Sequence, residues 1–125
     1  MTAESKIPMI SGGEPVVSVK SVCVSNARVG FNISANGDAN LSAGVIGRAK
    51  TSKIAMKVML QKYDATSKKW NNVKVWNNDS STSAISFSEK YSLKSNGTYR
   101  CKMTASVLCN GTNEMVTKTS SSIKF

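Results

Sequence analysis

From Pro15 onward the apolar residues mostly recur at every second position, and the stretches between them are rich in Ser, Thr, Asn and Gly. A period of two sends alternate side chains to opposite faces of an extended chain, so the pattern predicts strands with one face in a core and the other in water. No segment longer than ten residues keeps a helical period.

The predicted elements follow in order. A lead segment at 15–24 carries Val17, Val19 and Cys23 on one parity. The strand at 27–34 aligns Ala27, Val29, Phe31 and Ile33; Asn36-Gly37-Asp38 then supplies turn residues that tolerate positive φ, and Leu41, Ala43 and Val45 line a returning strand. The clearest alternation runs from Lys53 to Tyr63, with Ile54, Met56, Val58 and Leu60 on one side and Lys53, Lys57 and Gln61 on the other. Beyond a polar loop at 64–69, a strand from Trp70 to Trp76 is expected to turn Val73 and Val75 inward. Ile85, Phe87, Tyr91 and Leu93 mark the next strand. After Lys94-Ser95-Asn96-Gly97, a long strand carries Tyr99, Cys101, Met103, Ala105 and Val107 inward. Asn110-Gly111 leads into a last strand expected to align Met115, Thr117, Ile123 and Phe125 with the core.

Seven strands and a lead segment at this spacing define an all-β, antiparallel chain. Residues 1–14, with Pro8, Gly12 and Gly13 among polar neighbours, read as a flexible arm, and 15–125 as one domain.

Charge adds a direction to this picture. Seventeen Lys and Arg against seven Asp and Glu leave a formal charge of +10, which favours encounters with anionic partners and also serves plain solubility. Histidine is absent, which excludes His triads, His general bases and His metal ligands and argues against an enzyme. The few carboxylates are scattered, so no paired acid and base, metal or cofactor site is expected. No stretch approaches the ~20 apolar residues of a membrane helix, and no signal peptide is evident at the N-terminus. Five Asn-x-Ser/Thr sequons, at Asn32, Asn40, Asn78, Asn96 and Asn110, are what so Asn- and Ser-rich a chain produces by chance.

Gly97-Thr98-Tyr99-Arg100-Cys101 resembles the opening of the penultimate strand of an immunoglobulin-type sandwich, where a Tyr two residues before Cys folds its hydroxyl back onto the backbone. The resemblance implies an immunoglobulin-like β-sandwich. A broader one, over roughly residues 27–125, rests on Thr51-Ser52-Lys53-Ile54, Leu60-Gln61-Lys62-Tyr63, the run from Lys69 to Trp76, Gly97-Thr98-Tyr99-Arg100 and Val116-Thr117-Lys118. These resemble a group of small secreted proteins of unassigned function from Gram-positive gut and soil bacteria of clostridial type, which implies export and carries no activity to transfer.

Cys101 and Cys109 stand eight residues apart on one strand, about 26 Å at ~3.3 Å per residue, and a disulfide spans ~4.4–6.8 Å between Cα atoms. In an immunoglobulin-like arrangement the first strand begins at the end of the sandwich where the last hairpin turns, which favours Cys23–Cys109 and leaves Cys101 a buried thiol. The alternative is three reduced cysteines in a cytosolic protein.

Two candidate surfaces result. If the 53–63 and 97–108 strands are neighbours, Lys53, Lys57, Arg100 and Lys102 share an outward face, joined by Lys118 from the last strand, as a polyanion-binding patch or simply the wet side of a sandwich. Trp70 and Trp76 are candidate stacking rings for a sugar or base, or covers for a sheet edge. The function expected is a non-catalytic, secreted or cell-surface module contacting an anionic cell-wall polymer or polysaccharide. The alternatives are a carbohydrate- or protein-binding module using the Trp residues, and a small cationic toxin; nucleic acid ranks below these for want of a recognised motif.

Overall fold

A computed structural model describes residues 23–125 of the chain. The arm at 1–14 and the lead segment up to Val22 lie outside the described residues. Eight strands follow: β1 (Val24–Ile33), β2 (Asp38–Gly47), β3 (Thr51–Asp64), β4 (Lys69–Ser80), β5 (Ala84–Ser92), β6 (Thr98–Cys109), β7 (Thr112–Thr119) and the short β8 (Ile123–Lys124). They form two antiparallel sheets, one ordered β1-β2-β5 and the other β4-β3-β6-β7, with β8 pairing the start of β6. This is the immunoglobulin-like sandwich.

The alternation in the sequence explains the core. Leu41, Val45, Ile54, Val58, Leu60, Cys101, Met103 and Val107 are fully buried, all on the predicted inward parity. Each such aliphatic side chain contributes ~1.5–3 kcal/mol on burial. Tyr99, also buried, donates its hydroxyl to the Ser95 carbonyl at 2.7 Å, which pins the chain as it crosses from β5 to β6. At the same end, Gly37 holds φ 90° in the β1–β2 turn beneath the ring of Phe125, where a Cβ would meet Cζ at 2.9 Å.

At the opposite end Cys23 and Cys109 form a disulfide with Cα atoms 5.7 Å apart. The Cys23 amide also donates to Glu114 Oε1 at 2.6 Å, so the entry to β1 is tied twice to the β6–β7 hairpin. Cys101 is the free cysteine, fully buried, and burial pushes its thiol up to about 12.

Two strands turn differently from the sequence-based expectation. In β4, Val73 and Val75 are exposed, and Trp76 faces the interior beside the core. The cause is a register shift opposite Leu60 and Gln61: Lys74 pairs with Leu60 and Asn72 with Gln61, leaving Val73 as the extra residue of a bulge. A bulge inserts one residue on one strand and so exchanges the faces of everything beyond it. In β7, Met115 is 67% exposed and Thr117 is also outside, whereas Val116 packs against the core. Asn110 and Gly111, both at positive φ, make a two-residue turn that pairs Cys109 with Thr112, so the even positions of β7 follow the buried odd positions of β6.

Candidate functional site

The outer face of the sheet β4-β3-β6-β7 is built from the odd residues of β3 and the even residues of β6, because cross-strand partners point to the same side. Successive cross-strand rows on this face read Asn72–Gln61–Arg100, Val75–Met59–Lys102–Thr119, Asn77–Lys57–Thr104–Thr117 and Asp79–Ala55–Ser106–Met115. Lys53 pairs with Leu108 beyond them.

Four of the five expected cationic residues therefore share the face: Lys53, Lys57, Arg100 and Lys102. Lys118 does not. It pairs with the buried Met103, which turns it to the other side of the sheet, where it reaches solvent at the β7 edge. The cause is again the two-residue turn at Asn110-Gly111.

The two tryptophans also part company. Trp70 pairs with Tyr63 on the outer face, and their rings lie 5.2 Å apart. Trp76 pairs with the buried Val58 and points between the sheets. Its ring meets Phe87 at 5.4 Å and Tyr91 at 6.3 Å, both on β5, so it closes the gap between the β4 edge of one sheet and the β5 edge of the other. Trp76 is a packing residue rather than a stacking platform.

Arg100 and Trp70 come together instead. The guanidinium carbon lies 4.2 Å from the indole centroid, a cation–π contact worth ~0.5–2 kcal/mol. Arg100 Nε donates to Gln61 Oε1 at 2.8 Å, and Gln61 Nε2 donates to Asn72 Oδ1 at 2.9 Å. Gln61 is only 7% exposed, the one buried polar side chain among the described residues, and both ends of its amide are used. This relay holds the guanidinium flat with its Nε satisfied, and the planar fork is the group best suited to bidentate contact with a carboxylate or phosphate. The alternation along the chain puts Gln61 on the wet face and gives Asn72 no role. Their position beside Arg100 follows from the parity of β3 and the β4 bulge together.

A shallow depression of about 240 Å³ lies farther along the same face, lined by Ala55, Lys57, Asn77, Asp79, Thr104, Ser106 and Met115. A second of about 230 Å³ adjoins it, bounded by Lys53, Leu108 and Asn113 and sharing Ala55 and Ser106. The even parity of Thr104 and Ser106, which they share with Arg100 and Lys102, was the available signal for this region.

Among the described residues no helix is long and apolar enough to cross a membrane, and no three His, Cys, Asp or Glu side chains cluster as metal ligands would. Comparison of the chain with protein-family models, curated proteins and solved structures finds no match.

Proposed function

We propose that this protein is a non-catalytic, exported binding module of a Gram-positive bacterium that attaches to an anionic cell-wall polymer or polysaccharide through the outer face of sheet β4-β3-β6-β7. The observation that carries this reading is Arg100, stacked on Trp70 and fixed by Gln61, on the same face as Lys102, Lys57 and Lys53. A cation held in place before the ligand arrives loses little conformational freedom on binding, whereas a free surface Lys loses more. The neighbouring lysines supply long-range attraction that fades with salt. The Cys23–Cys109 disulfide fits an oxidising compartment such as the cell exterior.

The test is binding of the purified protein to isolated Gram-positive cell walls, before and after extraction of their anionic polymers, teichoic acid and acidic polysaccharide in turn, across a salt series. Binding that requires the anionic polymer, weakens with salt and is lost in Arg100→Ala supports the reading. Absence of binding at low salt rejects it.

A further inference from the structure

The two adjoining depressions form one groove that runs across the strands, from Asp79 on β4 over Ala55 and Ser106 to Met115 on β7. Its floor is low because the side chains there are small. Its walls carry cations on both sides: Lys57 stands with Asn77 and Thr104 on one, and Lys53 with Leu108 and Asn113 on the other. With adjacent strands ~4.8 Å apart, the groove crosses four strands over roughly 14 Å, long enough for a short run of sugar rings.

We infer that this groove seats uronic-acid units of an acidic polysaccharide. The inference rests on the anionic-polymer reading above and narrows it. Asp79 is the acidic group at the β4 end, and a carboxylate amid lysines repels a ligand that offers only negative charge. It favours one that also presents hydroxyl donors, since two vicinal hydroxyls can donate to its two oxygens. Asn77 and Thr104 donate and accept hydrogen bonds, and the Ser106 hydroxyl, which donates to Asn113 Oδ1 at 3.1 Å, keeps its lone pairs as acceptors while the Asn113 amide keeps its NH2 as donor, as a ring bearing several hydroxyls requires. Lys53 and Lys57 stand two residues to either side of Ala55 on β3 and face each other across the groove, so the carboxylate of a ring seated over Ala55 meets a lysine whichever side it projects to. The exposed Met115 thioether offers an apolar, polarisable contact for a sugar face at the far end. A nucleic acid or polyphosphate meets the same lysines but gives Asp79 no comparable partner.

The probes are polygalacturonate and hydroxyl-free inorganic polyphosphate at matched ionic strength, read by affinity electrophoresis of the full chain. Wild-type protein is expected to prefer polygalacturonate. Asp79→Asn removes one repulsive charge and one hydroxyl acceptor, so it should strengthen polyphosphate binding while weakening polygalacturonate binding roughly tenfold. Ala55→Leu, which raises the groove floor, should weaken polygalacturonate more than polyphosphate. If Asp79→Asn strengthens both polymers alike, the groove contributes charge alone and the inference fails. If Asp79→Asn moves the two in opposite directions while Arg100→Ala changes neither, the groove stands and the Arg100-centred reading falls. Absence of wild-type binding to either polymer overturns both.

Discussion

Arg100 lies over the indole of Trp70 at 4.2 Å although their strands, β6 and β4, are separated by β3. Gln61, on the intervening strand, bridges the gap by bonding to Arg100 on one side and Asn72 on the other. The expected site of cations and the expected site of aromatic stacking are thus partly one site.

Replacing Arg100 with Lys keeps the charge and removes the planar fork and the Nε bond to Gln61. Arg100→Lys should lower affinity for the anionic polymer by roughly three- to tenfold with little change in the salt slope, because the formal charge is unchanged. Lys57→Ala should instead reduce the salt slope. Titrations at several salt concentrations separate the two effects.

The two tryptophans should behave in opposite ways. Trp76→Ala removes the ring that bridges β4 to Phe87 and Tyr91, and should cost about 2–4 kcal/mol of stability while leaving polymer affinity intact in the folded fraction. Trp70→Ala should lower affinity and cost much less stability. Denaturant melts and binding assays on the same samples check both.

Loss of the Tyr99 hydroxyl leaves the Ser95 carbonyl without its 2.7 Å partner. Tyr99→Phe should destabilise the protein by about 1–2 kcal/mol with no change in binding, as urea unfolding would show.

The disulfide closes most of the described chain into one loop, since its cysteines are 86 residues apart. Cys23→Ser with Cys109→Ser should cost about 2–5 kcal/mol. In the native protein Cys101 should resist a thiol reagent and react only on unfolding, because it is fully buried.

Cys101 also predicts a pH dependence. Its folded-state value of about 12 lies above the ordinary 9.0, so between those values the unfolded chain holds fewer protons than the folded one. Stability from this group is fully present below about pH 9 and is lost as pH rises toward 12, at up to ~1.4 kcal/mol per pH unit. Chemical denaturation at pH 8 and pH 10 should show the loss in the wild type and a smaller one in Cys101→Ala.

Much of the fold was legible in the chain. The period-two alternation in β3 and β6 identified the core faces, because a strand with one wet side must alternate. Gly97 to Cys101 pointed to the immunoglobulin-like corner, and the topology that corner implied brought Cys23 to Cys109. Four of the five cations occupy the face their parity predicts, since β3 and β6 are adjacent and pair without interruption from Lys53 to Lys62. What the sequence determined by itself is mostly local, which residues alternate and where the chain turns, and its one long-range contact, Cys23 with Cys109 across 86 residues, was reached through the immunoglobulin-like corner.

Tertiary structure alone decided the faces of β4 and β7. Trp70 and Trp76 share parity in the chain yet lie on opposite sides of the sheet, because Val73 bulges against Leu60 and Gln61. Met115 and Lys118 exchanged their expected sides because the turn at Asn110-Gly111 takes two residues. A strand alternates with a period of two, so one inserted residue or a one-residue change of register reverses every side chain beyond it. Such a shift leaves no mark in the alternation of a strand whose residues are largely polar, and only the partner strand records it.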